Sequence, residues 1–335
     1  MEFKIMDGDV VKLIDGSLWL VSWNIHDVPY SIIALPYYVI RNGKKIIIES
    51  MLDALEYARE KYPYLMEVIE SYDRILPKIR RNIVKKVFSA SKYLTETLLS
   101  SDEVSRLIKE FVFMIASEAG ISVDSLGITF IPEELKFFKP KVYLIVYDES
   151  IGLKVYNALR RLFFTTMFFE HLKGDYVHSK LKNYGIYVKV STNTLNYLYS
   201  RKVLSGIFYG KLEYHVKILR NITYSFAEFN VQNLGRVVVL AKVLNDKYSL
   251  FTPAEYDIQV IDVAEGDFRA RFASKVVAYN EGYKEHLWKG ASVLIQGRLE
   301  KVQNIAEDEE YYRITVGFSK DILLPTRRLY TPLEP

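Results

Sequence analysis

The apolar residues of this chain change their spacing three times, and those changes limit the folds open to it. Residues 3–49 alternate short apolar runs with turn signals: Gly8, Asp15-Gly16 and Asn42-Gly43 separate Val10–Ile14, Ser17–Trp23, Tyr30–Ile40 and Lys44–Ile48. Asp-Gly and Asn-Gly between β-rich runs mark hairpins, so a small antiparallel sheet is expected, packed against the next segment of the chain. From about residue 50 to 119 the spacing turns helical. Met51–Lys61 starts behind Ser50 and stops at Pro63, and residues 64–98 read as helical with an interruption at Pro77. Ser100 and Glu103 form a capping-box pair ahead of one apolar stripe: Val104, Leu107, Ile108, Phe111, Val112 and Ile115. Gly120 stands just past its end. Residues 126–220 then alternate strand and helix: strand Val142–Tyr147, helix Ile151–Phe164, strand Tyr187–Val190, helix Thr192–Leu204 and strand Glu213–Leu219.

Beyond residue 235 the pattern is purely β, with strands at Arg236–Val243, Tyr256–Val263, Arg271–Ala278, Ala291–Val302 and Tyr311–Phe318. Five strands, with Gly297 inside the fourth as a barrel bend, predict a small closed barrel of the oligonucleotide/oligosaccharide-binding (OB) kind. The expected fold class is therefore α+β. Its predicted units are N-terminal β hairpins (1–50), a helical segment (51–99), a mixed-sheet domain (100–225), an OB-like barrel (230–324) and a tail (325–335).

Composition excludes several classes. With 335 residues, two or three domains are expected. The chain has no Cys, which removes disulfides and thiolate metal sites and fits a reducing cytoplasm. No stretch approaches ~18 uncharged apolar residues, so a membrane span is not expected. With 45 basic and 41 acidic residues the net charge is only +4, so any affinity for nucleic acid must come from local clustering. None of the five histidines sits in a His-x-x-x-His pair with a carboxylate, and no P-loop, dinucleotide fingerprint or nucleophile elbow is present. No cofactor is expected.

Three stretches carry a family resemblance: Leu126-Gly127-Ile128-Thr129, the run Ser200–Gly210 (Ser-Arg-Lys-Val-Leu-Ser-Gly-Ile-Phe-Tyr-Gly), and Gly290-Ala291-Ser292-Val293 leading to Gly297–Val302. In this order they resemble a family of archaeal predicted nucleotidyltransferases. The resemblance implies a helix, a Gly-Ser turn whose amides approach a triphosphate, and a strand carrying Asp-x-Asp to hold Mg²⁺. Here Phe130 and Ile131 stand in the Gly-Ser slots, and Lys141 and Tyr143 stand in the aspartate slots. A cation and a neutral phenol cannot coordinate a hard divalent ion, so the resemblance implies the fold with its transferase chemistry lost. Glu213 is then a remnant third carboxylate; an active enzyme would need displaced carboxylates such as Asp148 and Glu213, and Asp148 with Glu149 stands one turn beyond the strand as the other candidate pair.

Two basic groupings point to nucleic acid. Lys78, Arg81 and Lys85 fall at i, i+3 and i+7 of the expected helix, where they would neutralise phosphates. Arg201 and Lys202 lie in the retained Ser200–Gly210 run. In the barrel, Arg269, Arg271, Phe272, Arg298 and Tyr312 interleave cations with aromatics, a pattern for stacking the bases of a single strand. The expected function is a non-catalytic protein that binds RNA or single-stranded DNA, or scaffolds a nucleic-acid-processing complex. The alternatives are a Mg-dependent nucleotidyltransferase with displaced carboxylates and a protein-interaction subunit.

Overall fold

The computed structural model describes residues 5–27, 30–41, 44–133, 140–173, 192–220, 229–305, 307–318 and 321–326, and is α+β with three sheets. The first sheet begins with β1 (Val10–Leu13) and β2 (Leu18–Asp27), joined through Asp15-Gly16 as expected. Gly16 takes φ 89°, where a side chain would be strained, and the Asp15 carboxylate accepts the Ser17 amide at 2.9 Å. β3 (Ser31–Arg41), β4 (Lys44–Ile47), α1 (Met51–Lys61), β5 (Met66–Ile69), β6 (Arg74–Arg80) and β7 (Val84–Phe88) follow. Their order is β5-β6-β3-β2-β1-β7, with β4 also on β3.

Residues 66–88 are thus mostly strand, not the expected helix. Leu76, Ile79 and Ile83 recur at three- and four-residue spacing, which imitates a helical stripe. On β6, however, Leu76 and Ile79 reach buried positions through a pleat, and β3 and β5 supply its ladder. The many β-branched residues (Val68, Ile69, Ile75, Ile79, Ile83, Val84, Val87) suit that choice. The N-terminal unit therefore extends to residue 88.

The central unit holds α2 (Ala90–Leu99), α3 (Glu103–Ala119), β8 (Leu126–Ile128), β9 (Lys141–Val146), α4 (Glu149–Thr165), β10 (Phe169–Glu170), α5 (Thr192–Tyr199), β11 (Ser205–Phe208) and β12 (Leu212–Leu219). α3 buries Val104, Ile108, Phe111, Val112 and Ile115, the expected stripe, and ends on Gly120 at φ 62°. Its N-cap is Asp102 rather than Ser100: the Asp102 carboxylate accepts the Ser105 amide at 2.9 Å, and Ser100 donates to it at 2.7 Å. α5 stops at Tyr199, short of the expected Leu204, because the Glu285 carboxylate takes the Val203 and Leu204 amides, each at 2.9 Å. The sheet runs β10-β11-β12-β9-β8, parallel between β9 and β12 and antiparallel elsewhere along that path. The expected strand Tyr187–Val190 lies outside the described residues.

The third sheet contains β13 (Phe229–Asn245), β15 (Ala254–Glu265), β16 (Ala273–Ala278), β17 (Ser292–Asn304), β18 (Glu309–Val316) and β19 (Ile322–Pro325), while β14 (Phe251–Thr252) joins β12 in the central sheet. The five expected strands are present. A sixth, β19, closes the range expected for the β unit, reaching Pro325 at the first residue of the expected tail, and pairs with β17. The pairing order is β13-β15-β16-β18-β17, and β13 also pairs with β17, so each of these five strands has two neighbours among the five. Val277 and Tyr279 turn outward from β16 onto Leu55, Tyr72 and Leu76, which joins the N- and C-terminal units through one apolar cluster.

Candidate functional site

Parallel pairing sets Lys141 opposite Glu213 and Tyr143 opposite His215 on β9 and β12. Alternation then turns all four side chains to one face. The Lys141 ammonium lies 3.1 Å from Glu213 Oε1 and also contacts Glu49 Oε1. Glu49 enters from the N-terminal unit, held one residue before Ser50, the N-cap of α1. Tyr143 donates to the same Glu49 oxygen at 3.4 Å and stacks on His215 at 5.3 Å, while His215 Nε2 meets Glu213 at 2.5 Å. Burial, and after it the Glu49 charge, hold the Tyr143 phenol well above its usual range, so it stays neutral. The Tyr37 hydroxyl is buried near Lys141 and Glu49 with no hydrogen-bond partner, and burial pushes it up as well.

A side-chain cation is therefore built into the face of β9 and β12. Phe130 and Ile131 are packed among aromatic neighbours. Phe130 stacks on Phe88 at 4.0 Å and meets the Tyr93 edge at 5.1 Å; Ile131 is buried and its carbonyl accepts the Tyr93 hydroxyl at 3.2 Å. The carboxylates considered as displaced ligands have other work. Asp148 caps α4, accepting from Ser150 and Ile151, and Glu149 lies 3.4 Å from Arg220. Among the described residues, no group of three His, Asp or Glu is arranged to hold a metal ion.

The basic residues do not assemble as expected. Lys78 is on β6, Arg81 in the 3-10 turn Arg81–Ile83 and Lys85 on β7. In the pairing order three strands separate β6 from β7, so the expected helical stripe is absent. Arg81 also buries its Nε without a hydrogen bond. Lys202 is 3% exposed and donates to the Gly282 carbonyl, so it does not reach a phosphate in solution. Burial pushes its ammonium down to about 7, opposed by Glu285. Arg201 lies 4.2 Å over the Trp288 ring.

The residues expected to stack bases divide into two places. Phe268–Phe272 form a 3-10 turn between β15 and β16, with Phe268 69% and Phe272 60% exposed. Arg271 is exposed there, Arg269 is held by Asp267 at 2.5 Å, and the Phe272 ring lies 6.4 Å from Tyr312. Arg298 is elsewhere: it faces the N-terminal unit, donates to the Asp73 carbonyl at 2.8 Å and sits 3.3 Å from Glu300.

Sequence reasoning missed Glu49 and His215. His215 was two residues from Glu213 on an evident strand, so alternation alone would have found it. Glu49 carried no local signal, since it lies 92 positions from Lys141.

Over 298 residues the chain is 22% identical to an uncharacterized protein of Methanocaldococcus jannaschii, a match covering 84% of this chain and 82% of that one. No protein-family model and no solved structure matches the chain. No helix among the described residues is long and apolar enough to cross a membrane.

Proposed function

We propose that this protein is a non-catalytic, nucleotidyltransferase-like protein that binds single-stranded nucleic acid, RNA or DNA, through its C-terminal unit. The observation that carries the reading is the Lys141 ammonium held between Glu49 and Glu213. Two-metal phosphoryl transfer needs unpaired anionic oxygens for Mg²⁺, and here a fixed cation stands between the two carboxylates and pairs with both.

The binding half draws support from two features. The C-terminal pairing order is antiparallel throughout except between β16 and β18, in line with an OB-like barrel. Phe268 and Phe272 are also presented to solvent beside the exposed Arg271, with Tyr312 nearby, which suits base stacking next to a cation.

Fluorescence anisotropy with labelled single-stranded RNA and DNA tests this half. Micromolar affinity that weakens as salt rises is expected, with Phe268→Ala and Phe272→Ala each costing ~1–3 kcal/mol. Affinity unchanged in both variants would refute it. The inert half is tested by incubation with labelled nucleoside triphosphates and Mn²⁺: nucleotide transfer that Glu213→Ala abolishes would overturn it.

A further inference from the structure

A cleft of about 380 Å³ opens between the N-terminal and C-terminal units, lined by residues that belong neither to the Lys141 cluster nor to the 268–272 turn. Four guanidiniums line it: Arg59 from the last turn of α1, Arg74 from β6, Arg236 from β13 and Arg298 from β17. Two carboxylates, Asp73 and Asp321, line it with them. Behind the wall, the buried Glu300 carboxylate faces three of the chain's guanidiniums: Arg74 at 2.7 Å, Arg298 at 3.3 Å and Arg313 at 2.9 Å.

Asp73 also lies 3.4 Å from Arg298, so the cleft and its wall set three carboxylates (Asp73, Glu300, Asp321) against five guanidiniums, an excess of positive charge. Burial and the adjacent Arg74 push the Arg298 guanidinium below its usual range, and its buried Nε makes no well-formed hydrogen bond. Arg236 meets Asp321 at 2.8 Å yet remains 46% exposed toward the opening. Ile75, 51% exposed, and Phe318 give the cleft an apolar side, and the Arg74 guanidinium lies 3.9 Å over the Phe318 ring.

We infer that this cleft binds a small phosphate monoester carrying an apolar or planar group. The planar forks of several guanidiniums match phosphate oxygens in pairs, and a dianion supplies the negative charge that the lining lacks. The apolar side accommodates the remainder of such a molecule, and the volume falls within the range of small-molecule sites. The inference does not depend on nucleic-acid binding by the 268–272 turn.

Isothermal titration calorimetry of the full chain with adenosine monophosphate, inorganic phosphate, adenosine and a single-stranded oligonucleotide tests it. Adenosine monophosphate is expected to bind at least ~10-fold more tightly than phosphate or adenosine. Arg59→Gln and Arg236→Gln, both at accessible positions, should each weaken it ~10-fold, and Asp73→Asn should tighten it several-fold by removing an opposing charge. The Asp73→Asn gain cannot arise from misfolding. No saturable binding of adenosine monophosphate at millimolar concentration, or binding unmoved by both arginine variants, would overturn the inference. So would phosphate binding as tightly as the nucleotide, or an oligonucleotide displacing the nucleotide at lower concentration.

Discussion

Replacing Lys141 by Met tests the charge logic of the central site. The ammonium lies 3.1 Å from Glu213 and also touches Glu49, and the three side chains are only 13%, 12% and 19% exposed. At an effective dielectric of ~20, one such contact is worth ~5 kcal/mol of Coulomb attraction before desolvation is subtracted. The measured loss is set by the two carboxylates left with no ammonium between them, Glu213 keeping its contact with His215, and ~3–5 kcal/mol is expected for Lys141→Met. The loss also depends on pH. Without Lys141, mutual repulsion and burial raise the native-state pKa of the glutamates above their unfolded values. The variant should then be least stable above that raised pKa and recover on acidification, as the native state takes up a proton. Adding Glu49→Gln and Glu213→Gln removes the stranded charge and should return stability to within ~1 kcal/mol of the parent. Urea unfolding followed by tryptophan fluorescence, at pH 5 and pH 8, measures all three chains. A Lys141→Met loss below ~1 kcal/mol, or a triple variant as unstable as the single one, would refute the reasoning.

Asp9 supplies a second titration: it is buried, accepts the Ala90 amide at 2.8 Å and the Met6 amide at 2.9 Å, and is pushed up by burial from 3.8 to about 6. A raised acid binds more protons folded than unfolded, so the parent should lose roughly 2 kcal/mol relative to Asp9→Asn between pH 4 and pH 7. A constant difference between the two urea curves would contradict this. Gly152→Ala should destabilise, although alanine is the better helix former, because a Cβ there would lie 2.1 Å from Ile218 Cγ2 where α4 crosses β12. A loss of ~1–3 kcal/mol is expected from overpacking, and a raised melting temperature would refute the close approach.

The sequence by itself determined the elements whose apolar period points at a single surface. The stripe Val104–Ile115 makes α3, the Asp15-Gly16 turn makes the first hairpin, and five β-rich runs make five of the six strands of the third sheet. It also determined that residues 141 and 143 bring no carboxylate to β9, because that is a matter of residue identity alone. Tertiary structure decided the rest. The spacing of Leu76, Ile79 and Ile83 fits a helix, and the neighbouring β3 and β5 overrode it by completing the β6 ladder, with Leu76 and Ile79 buried in different clusters. Lys202 and Arg298 read as surface cations, yet one is enclosed by the Gly282 carbonyl and Glu285 and the other docks on Asp73, partners far away in sequence. The counter-charge for Lys141 likewise came from Glu49, in another unit. Local spacing says which side of an element is apolar. Which distant charge meets a given side chain depends on how the units dock, and no local period records that.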